Sequence, residues 1–209
     1  MHPVRRMASD QELVRRYQAH CSWPHLYYGV IPHFAGMISA NTVAEIGVAY
    51  GYHAESILSA LPSTKYYGVD PYLAGYDPND VFVADVMKIF SEIDAQRAMD
   101  RLYASVEKNL ESFSGRSKLL RLPSMEAAKI FSDGFFDLVF IDGDHTHAAV
   151  KADLEAWWPK VREGGIFCGD DYTWPNVKRA VDAFANTFGV NLSLFMKKNT
   201  NYPIWCISK

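Results

Sequence analysis

The sequence predicts a doubly wound α/β fold with a mostly parallel sheet of seven strands, the last strand running antiparallel. Three observations carry this. Apolar strand-like runs alternate with helical stretches from residue 42 onward, which places helices between parallel strands. The last two strand runs are joined by a short polar connection, "KNTN", so they pair antiparallel. The 209 residues are 49% hydrophobic and 14% aromatic, enough for the core of one domain. The expected organisation is a single domain, 1–209, with an N-terminal helical cap at 1–40 and the sheet-bearing core at 41–209.

Residues 9–40 read as mostly helical, with Leu13, Tyr17 and His20 at helical spacing, followed by the aromatic, proline-bearing run "SWPHLYYGVIPHF". "TVAEIGV" is the first strand and "YHAESILSALP" the helix after it. "KYYGVD" is the second strand. The run "VFVADVMKIFSEIDAQRAMDRLYASVEKNL" reads as a long, broken helical stretch. "KLLRL", "FDLVFID" and "GGIFCGDD" are the next strands, with helices "SMEAAKIFS" and "NVKRAVDAFANTF" among them. The helix after "FDLVFID" buries Val150, Leu154 and Trp157, spaced i, i+4, i+7, and ends before Pro159. "VNLSLFMK" and "YPIWCIS" close the sheet.

A net charge of −3 with scattered basic residues argues against a nucleic-acid or anionic-membrane partner. No apolar run approaches the ~20 residues a membrane helix needs. The three cysteines, Cys21, Cys168 and Cys206, lie far apart without a C-x-x-C pair. Reduced thiols in a cytosol are the expectation. The basic N-terminus is followed by no apolar core, so it does not read as a secretory signal.

In a doubly wound sheet, ligands bind beyond the C-terminal strand ends. Two stretches there carry chemistry. The first is "AEIGVAYGYH", where Gly47 and Gly51 frame a tight turn into a helix. Asp70 ends the second strand, where a carboxylate can accept both hydroxyls of a ribose. The loop lacks the G-x-G-x-x-G of a dinucleotide site. Glu45, two residues before Gly47, suits a ligand with an ammonium rather than a diphosphate, and S-adenosylmethionine is such a ligand. A purely structural glycine turn is the plainer alternative.

The second stretch is "FIDGDHTHAAV". The expected strand order brings Asp142 beside Asp170 and Asp171. Two unit charges ~5 Å apart repel by roughly 3 kcal/mol at an effective dielectric of ~20. A hard divalent cation relieves this, Mg²⁺ first, with Ca²⁺ or Mn²⁺ as alternatives. A protonated aspartate or a lysine partner would also relieve it. Asp142-Gly143 is a common turn pair, and Asp144 is a candidate helix cap.

Together these stretches resemble class I S-adenosylmethionine-dependent methyltransferases. "AEIGVAYGYHAESIL" is similar to the E-[IL]-G-x-x-x-G-Y loop of the cation-dependent small-molecule O-methyltransferases. "FFDLVFIDGDHTHAAVKADLEAWWPKVREGGIFCGDDY" is similar to their bacterial branch, which includes sugar O-methyltransferases of macrolide and aminocoumarin pathways. The resemblance spans roughly residues 40–185. It implies that Glu45 and the backbone of Gly47, Val48, Ala49, Tyr50, Gly51 and Tyr52 hold the methionine end, and that Asp70, with Pro71 beside it, holds the ribose. It places Ser124 and Met125 at the adenine and Asp142 both near the cofactor amine and on the metal. His53 departs from the Ser or Thr that relatives often place against the cofactor carboxylate.

The resemblance further implies Mg²⁺ on Asp142, Asp170 and Asp171, polarising a hydroxyl of a small acceptor, sugar or phenol. His145 stands at the spacing of the catalytic lysine of catechol-type relatives and is the expected base, kept neutral by the helix N-terminus and the metal. Asp144 is its rival, and His147 is expected on the helix surface. An NAD-linked oxidoreductase and a non-catalytic S-adenosylmethionine-binding protein are the other readings. Residues 71–100 are long for a connection and are expected to form a lid, a homodimer contact or helical core. "HCSWPHLYYG" is a candidate wall of the acceptor pocket.

Overall fold

The computed structural model describes residues 8–20, 28–76, 81–196 and 202–209. The pocket-wall run at 21–27, the tip of the long connection at 77–80, Cys21 and the "KNTN" connection lie outside the described residues. Contacts divide the chain into two compact units, Met1–Pro24 with Tyr72–Ser112, and His25–Pro71 with Phe113–Lys209. The first forty residues therefore contribute to both units.

The larger unit carries a seven-stranded sheet. Its strands are β1 (Thr42–Ile46), β2 (Lys65–Val69), β3 (Ser117–Leu120), β4 (Phe136–Ile141), β5 (Val161–Gly169), β6 (Leu192–Met196) and β7 (Pro203–Ser208). They lie in the order β3-β2-β1-β4-β5-β7-β6. The first five pair in parallel, and β7 is antiparallel to both β5 and β6. This is the expected fold class. The strand order reverses between β1 and β4, so the switch point falls where the two sequence motifs end.

Helices α2 (Val30–Met37) and α3 (Tyr52–Ala60) belong to this unit, as do α6 (Ser124–Ala128), α7 (His147–Trp157) and α8 (Pro175–Phe188). Alternate strand residues face α6, α7 and α8: Ala44, Ile46, Val139 and Ile141 pack there with Val150, Leu154, Trp157, Val181 and Phe184. The stripe Val150, Leu154 and Trp157 is buried as its spacing predicts. α7 ends at Trp157, before Pro159. Its cap differs from the expectation. Thr146, not Asp144, is the N-cap, its side chain accepting from Ala149 N at 3.3 Å. Asp144 instead accepts from Thr146 N at 2.6 Å, a turn that sets up the cap. α6 is shorter than "SMEAAKIFS" suggests.

The smaller unit holds α1 (Asp10–His20), α4 (Phe82–Phe90) and α5 (Ala95–Leu110). The predicted break falls at Ser91, in a left-handed conformation, and at Asp94, which caps α5 by accepting from Arg97 N. Arg101 of α5 pairs with Asp10 of α1 at 2.7 Å. Among the described residues of α1, Val14 is buried. Leu13 and Tyr17 flank it half-buried, and the side chain of His20 lies outside the described residues. Among the described residues no helix is long and apolar enough to cross a membrane.

Candidate active site

The turn after β1 is set by backbone geometry. Gly47 has φ 92°, and a Cβ there would lie 2.0 Å from the carbonyl oxygen of Asp142. Only glycine allows the β1–α3 turn to touch the end of β4. Gly47 N donates to Val69 O at 2.9 Å, and Asp142 N donates to Ile46 O at 2.7 Å. Ala49 and Gly51 also have positive φ, 48° and 78°. Asp70 fixes this strained loop, since its Oδ2 accepts from Val48 N and Ala49 N, each at 3.0 Å. Tyr50 and Tyr52 stack on the turn with ring centroids 5.7 Å apart. Pro71 follows Asp70, and its carbonyl accepts from Arg121 Nε at 3.4 Å.

Glu45 lies under the turn and is 1% exposed. His53 Nδ1 stands 2.9 Å from its Oε1, and Tyr66 donates a short hydrogen bond to its Oε2. Burial raises the Glu45 pKa against the pull of these two partners. His53 is itself buried. It therefore braces Glu45 from within the fold. Tyr66 was missed from the sequence. Its signal is Gly68, paired with Glu45 across β1–β2: a Cβ there would lie 2.8 Å from the Tyr66 hydroxyl. A glycine inside a strand marks such a close approach.

Ser124 begins α6 as expected, but its hydroxyl is engaged. It donates to the buried carboxylate of Asp153 and accepts from Trp157 Nε1 at 2.8 Å. Burial pushes the Asp153 pKa up to about 6, eased by Ser124 and reinforced by the Asp144 charge. Met125 is 42% exposed.

At the ends of β4 and β5 the acids gather. Asp142, His145 and Asp171 each offer a ligand atom within 4.8 Å of the others. His145 Nε2 lies 2.8 Å from Asp171 Oδ2 and 3.9 Å from Asp142 Oδ1. Asp171 adopts a left-handed φ of 53°, and its carbonyl accepts from Trp174 N at 2.8 Å. Asp170 is buried, with its amide donating to Ile141 O at 3.1 Å, and lies outside the converging group. It lines a small cavity with Asp142, Asp144, His145 and Val177. The expected metal trio is thus brought together in part, and a histidine takes the third place.

The charges follow from this geometry. Burial raises the Asp142 pKa; His145 lowers it and the neighbouring Asp171 raises it further. Burial would lower His145, but contacts with Asp142 and Asp171 outweigh it and push its pKa to about 10. The ring sits before the cap of α7 and against two carboxylates, which favour its protonated form; the expected neutral base is the form with a cation bound. His147 opens α7, half-buried. Trp174, also missed, packs its ring 4.8 Å from that of His145 while remaining 49% exposed.

A sheet of this order, with a glycine turn after β1 and acids at the ends of β4 and β5, is the fold of class I S-adenosylmethionine-dependent methyltransferases. The chain belongs to the family described as "Methyltransferase domain", whose model matches residues 44–172. No curated protein sequence matches it. Among solved structures it is similar to a candidate caffeoyl-CoA O-methyltransferase from Staphylococcus aureus, at 14% identity and a TM-score of 0.64, covering 97% of this chain and 93% of that one. It is also similar to an SAH-bound methyltransferase from Podospora anserina, at 14% identity and a TM-score of 0.62, covering 97% and 88%. A candidate O-methyltransferase from Klebsiella pneumoniae gives 16% identity and a TM-score of 0.62, covering 95% and 87%. At these identities the likeness is one of fold.

Proposed function

We propose that the chain transfers a methyl group from S-adenosylmethionine to a hydroxyl of a small molecule, a sugar or a phenol, with a divalent cation at the acidic strand ends. The observation that carries this reading is the contact between Gly47 and the Asp142 carbonyl, where a Cβ would meet the carbonyl oxygen at 2.0 Å. It sets the glycine turn directly against the acidic group, so a ligand on one borders a ligand on the other.

The turn fits the methyl donor by its donors and its shape. The loop approaches without side-chain bulk at Gly47 and Gly51, and Glu45 is a buried acid beneath it. Asp70 anchors the loop at the end of β2, where ribose hydroxyls are met in this fold. When bound, S-adenosylmethionine supplies an electrophilic methyl on a sulfonium. The acidic group fits a cation by its excess of carboxylates, and Asp142 and Asp171, with Asp170 beside them, are the residues that would hold it. When bound, a cation supplies Lewis acidity to an acceptor hydroxyl.

The chain's own residues do the rest. Asp142 and Asp171 orient the hydroxyl side of the acceptor, and Gly47 keeps the two halves of the site in contact, so the gain is largely positional. Of the two proton acceptors that the sequence offers, Asp144 is the favoured one, with Thr146 N donating to its Oδ1. It lines the cavity with Asp142, whereas His145 is held by two carboxylates.

Thermal shift tests the cofactor. S-adenosylhomocysteine at ~100 times its Kd adds about 2.7 kcal/mol to stability, whereas NAD and NADP add nothing. Calorimetric binding of NAD without binding of S-adenosylhomocysteine sinks the reading. Methyl transfer to catechol and to a methyl glycoside, with and without EDTA, tests acceptor class and metal.

A further inference from the structure

We infer that His145 is a nitrogen ligand to the cation, completing a two-carboxylate, one-imidazole site with Asp142 and Asp171. The site then prefers a later first-row ion such as Co²⁺ or Ni²⁺ over Mg²⁺. The inference rests on the methyltransferase reading for the presence of a cation beside the acceptor, while the ligand set comes from geometry.

Three residues each direct one donor atom into a space no wider than 4.8 Å. The separations from His145 Nε2 are 2.8 Å to Asp171 Oδ2 and 3.9 Å to Asp142 Oδ1. Donors on a six-coordinate ion ~2.1 Å away stand about 3 Å apart when adjacent and about 4.2 Å when opposite. His145 Nε2 stands near the adjacent spacing from Asp171, at 2.8 Å, and between the two spacings from Asp142, at 3.9 Å. Nε2 is shielded from solvent and makes no aligned hydrogen bond. A screened ring nitrogen facing two carboxylates is an arrangement that an ion completes.

Each donor is also held in place. The Trp174 ring packs against His145 at 4.8 Å, and Trp174 N ties down the Asp171 carbonyl at 2.8 Å. Asp142 N is fixed on Ile46 O at 2.7 Å. Asp170, the third acid by sequence, is outside the group. Three protein donors leave positions on a six-coordinate ion for an acceptor oxygen and water. Imidazole suits the later first-row ions, whereas Mg²⁺ favours oxygen alone and Ca²⁺ favours more oxygens than this site offers.

Pulsed electron paramagnetic resonance of the Mn²⁺-loaded protein is the decisive experiment. A histidine nitrogen coupling is expected in the wild type, altered by ¹⁵N-histidine labelling, lost in His145→Gln and His145→Ala, and kept in His147→Ala. Calorimetry should show Co²⁺ and Ni²⁺ binding more tightly than Mg²⁺, and His145→Gln weakening Co²⁺ by ~100-fold. The inference is overturned by a wild-type Mn²⁺ signal without nitrogen coupling, by unchanged Co²⁺ affinity in His145→Gln, by Mg²⁺ binding tightest, or by no divalent binding at all. The wild-type signal decides even if a variant fails to fold. S-adenosylhomocysteine titration of the same samples separates the two ideas. If it binds and the nitrogen coupling is missing, the ligand set is wrong and the methyltransferase reading stands. If it does not bind, that reading falls, and the coupling still decides the ligands.

Discussion

Asp137 and Asp142 sit at opposite ends of β4, and their surroundings are opposites too. Asp137 Oδ2 accepts from Asn41 N and Thr42 N at 2.8 Å each and from Thr42 Oγ1 at 2.9 Å. Its Oδ1 pairs with Arg162 Nε at 2.5 Å. Burial would raise its pKa, but Arg162 and the Thr42 and Asn41 donors hold it below the usual carboxylate range. Asp142 is half-buried beside another acid, Asp171, and its pKa is raised. One carboxylate staples β1 to β4 with donors that the fold supplies. The other is placed where the fold supplies mostly more negative charge, with His145 as the counter-charge. Acids with raised pKa values at a strand end mark a candidate functional site, and the proposed cation would relieve this charge.

The largest effect is expected from removing the acids at the C-terminal end of β4. Asp142→Asn and Asp144→Asn should each lower kcat by ~10²–10⁴, the scale of general-base and ligand losses. Asp142→Asn should nonetheless leave the melting temperature unchanged or higher, because it removes a like-charge contact. A loss of stability as large as that of Asp137→Asn would show that the two ends are not opposites.

Asp137→Asn should cost about 3 kcal/mol in urea unfolding at pH 7, since it leaves Arg162 and backbone donors facing a neutral group. The sign of the pH effect follows from its lowered pKa. Its contribution is present above the unfolded value and is lost as pH falls through the folded value. A wild-type and Asp137→Asn gap that persists unchanged to pH 2 would contradict this.

Asp153 sharpens the comparison from the other direction, as a buried acid with a raised pKa of about 6. The folded state holds its proton more tightly than the unfolded chain does, so stability falls as pH rises through this range. From pH 5 to pH 8 the loss from this group is ~1.4 kcal/mol. Asp153→Asn should flatten that slope, and an unaltered slope in paired urea titrations would assign it elsewhere. The smallest effect is expected at Asp70→Asn, which weakens the anchor of the Val48 and Ala49 amides. A fall in S-adenosylhomocysteine affinity of about tenfold, roughly 1.4 kcal/mol, is the expected calorimetric result; full affinity would mean that the loop holds itself.

Local sequence signals suffice for the strand and helix alternation, the antiparallel closing pair and the buried stripe of α7. They also place Gly47, Asp70, Asp142 and Asp171 at strand ends. These signals are periodicity, glycine turns, and acids that follow apolar runs. Which residues meet is a matter of long-range packing. That Thr146 rather than Asp144 caps α7 depends on where the chain turns after β4. That Tyr66 braces Glu45 depends on the register of β1 against β2, which leaves Gly68 opposite the acid. That His145 lies between Asp142 and Asp171, with Asp170 outside the group, depends on the left-handed turn at Asp171 and on the pairing of β4 with β5. Sequence spacing fixes which residues reach a strand end, but the direction of a side chain there is set by backbone dihedrals and by neighbours distant in the chain.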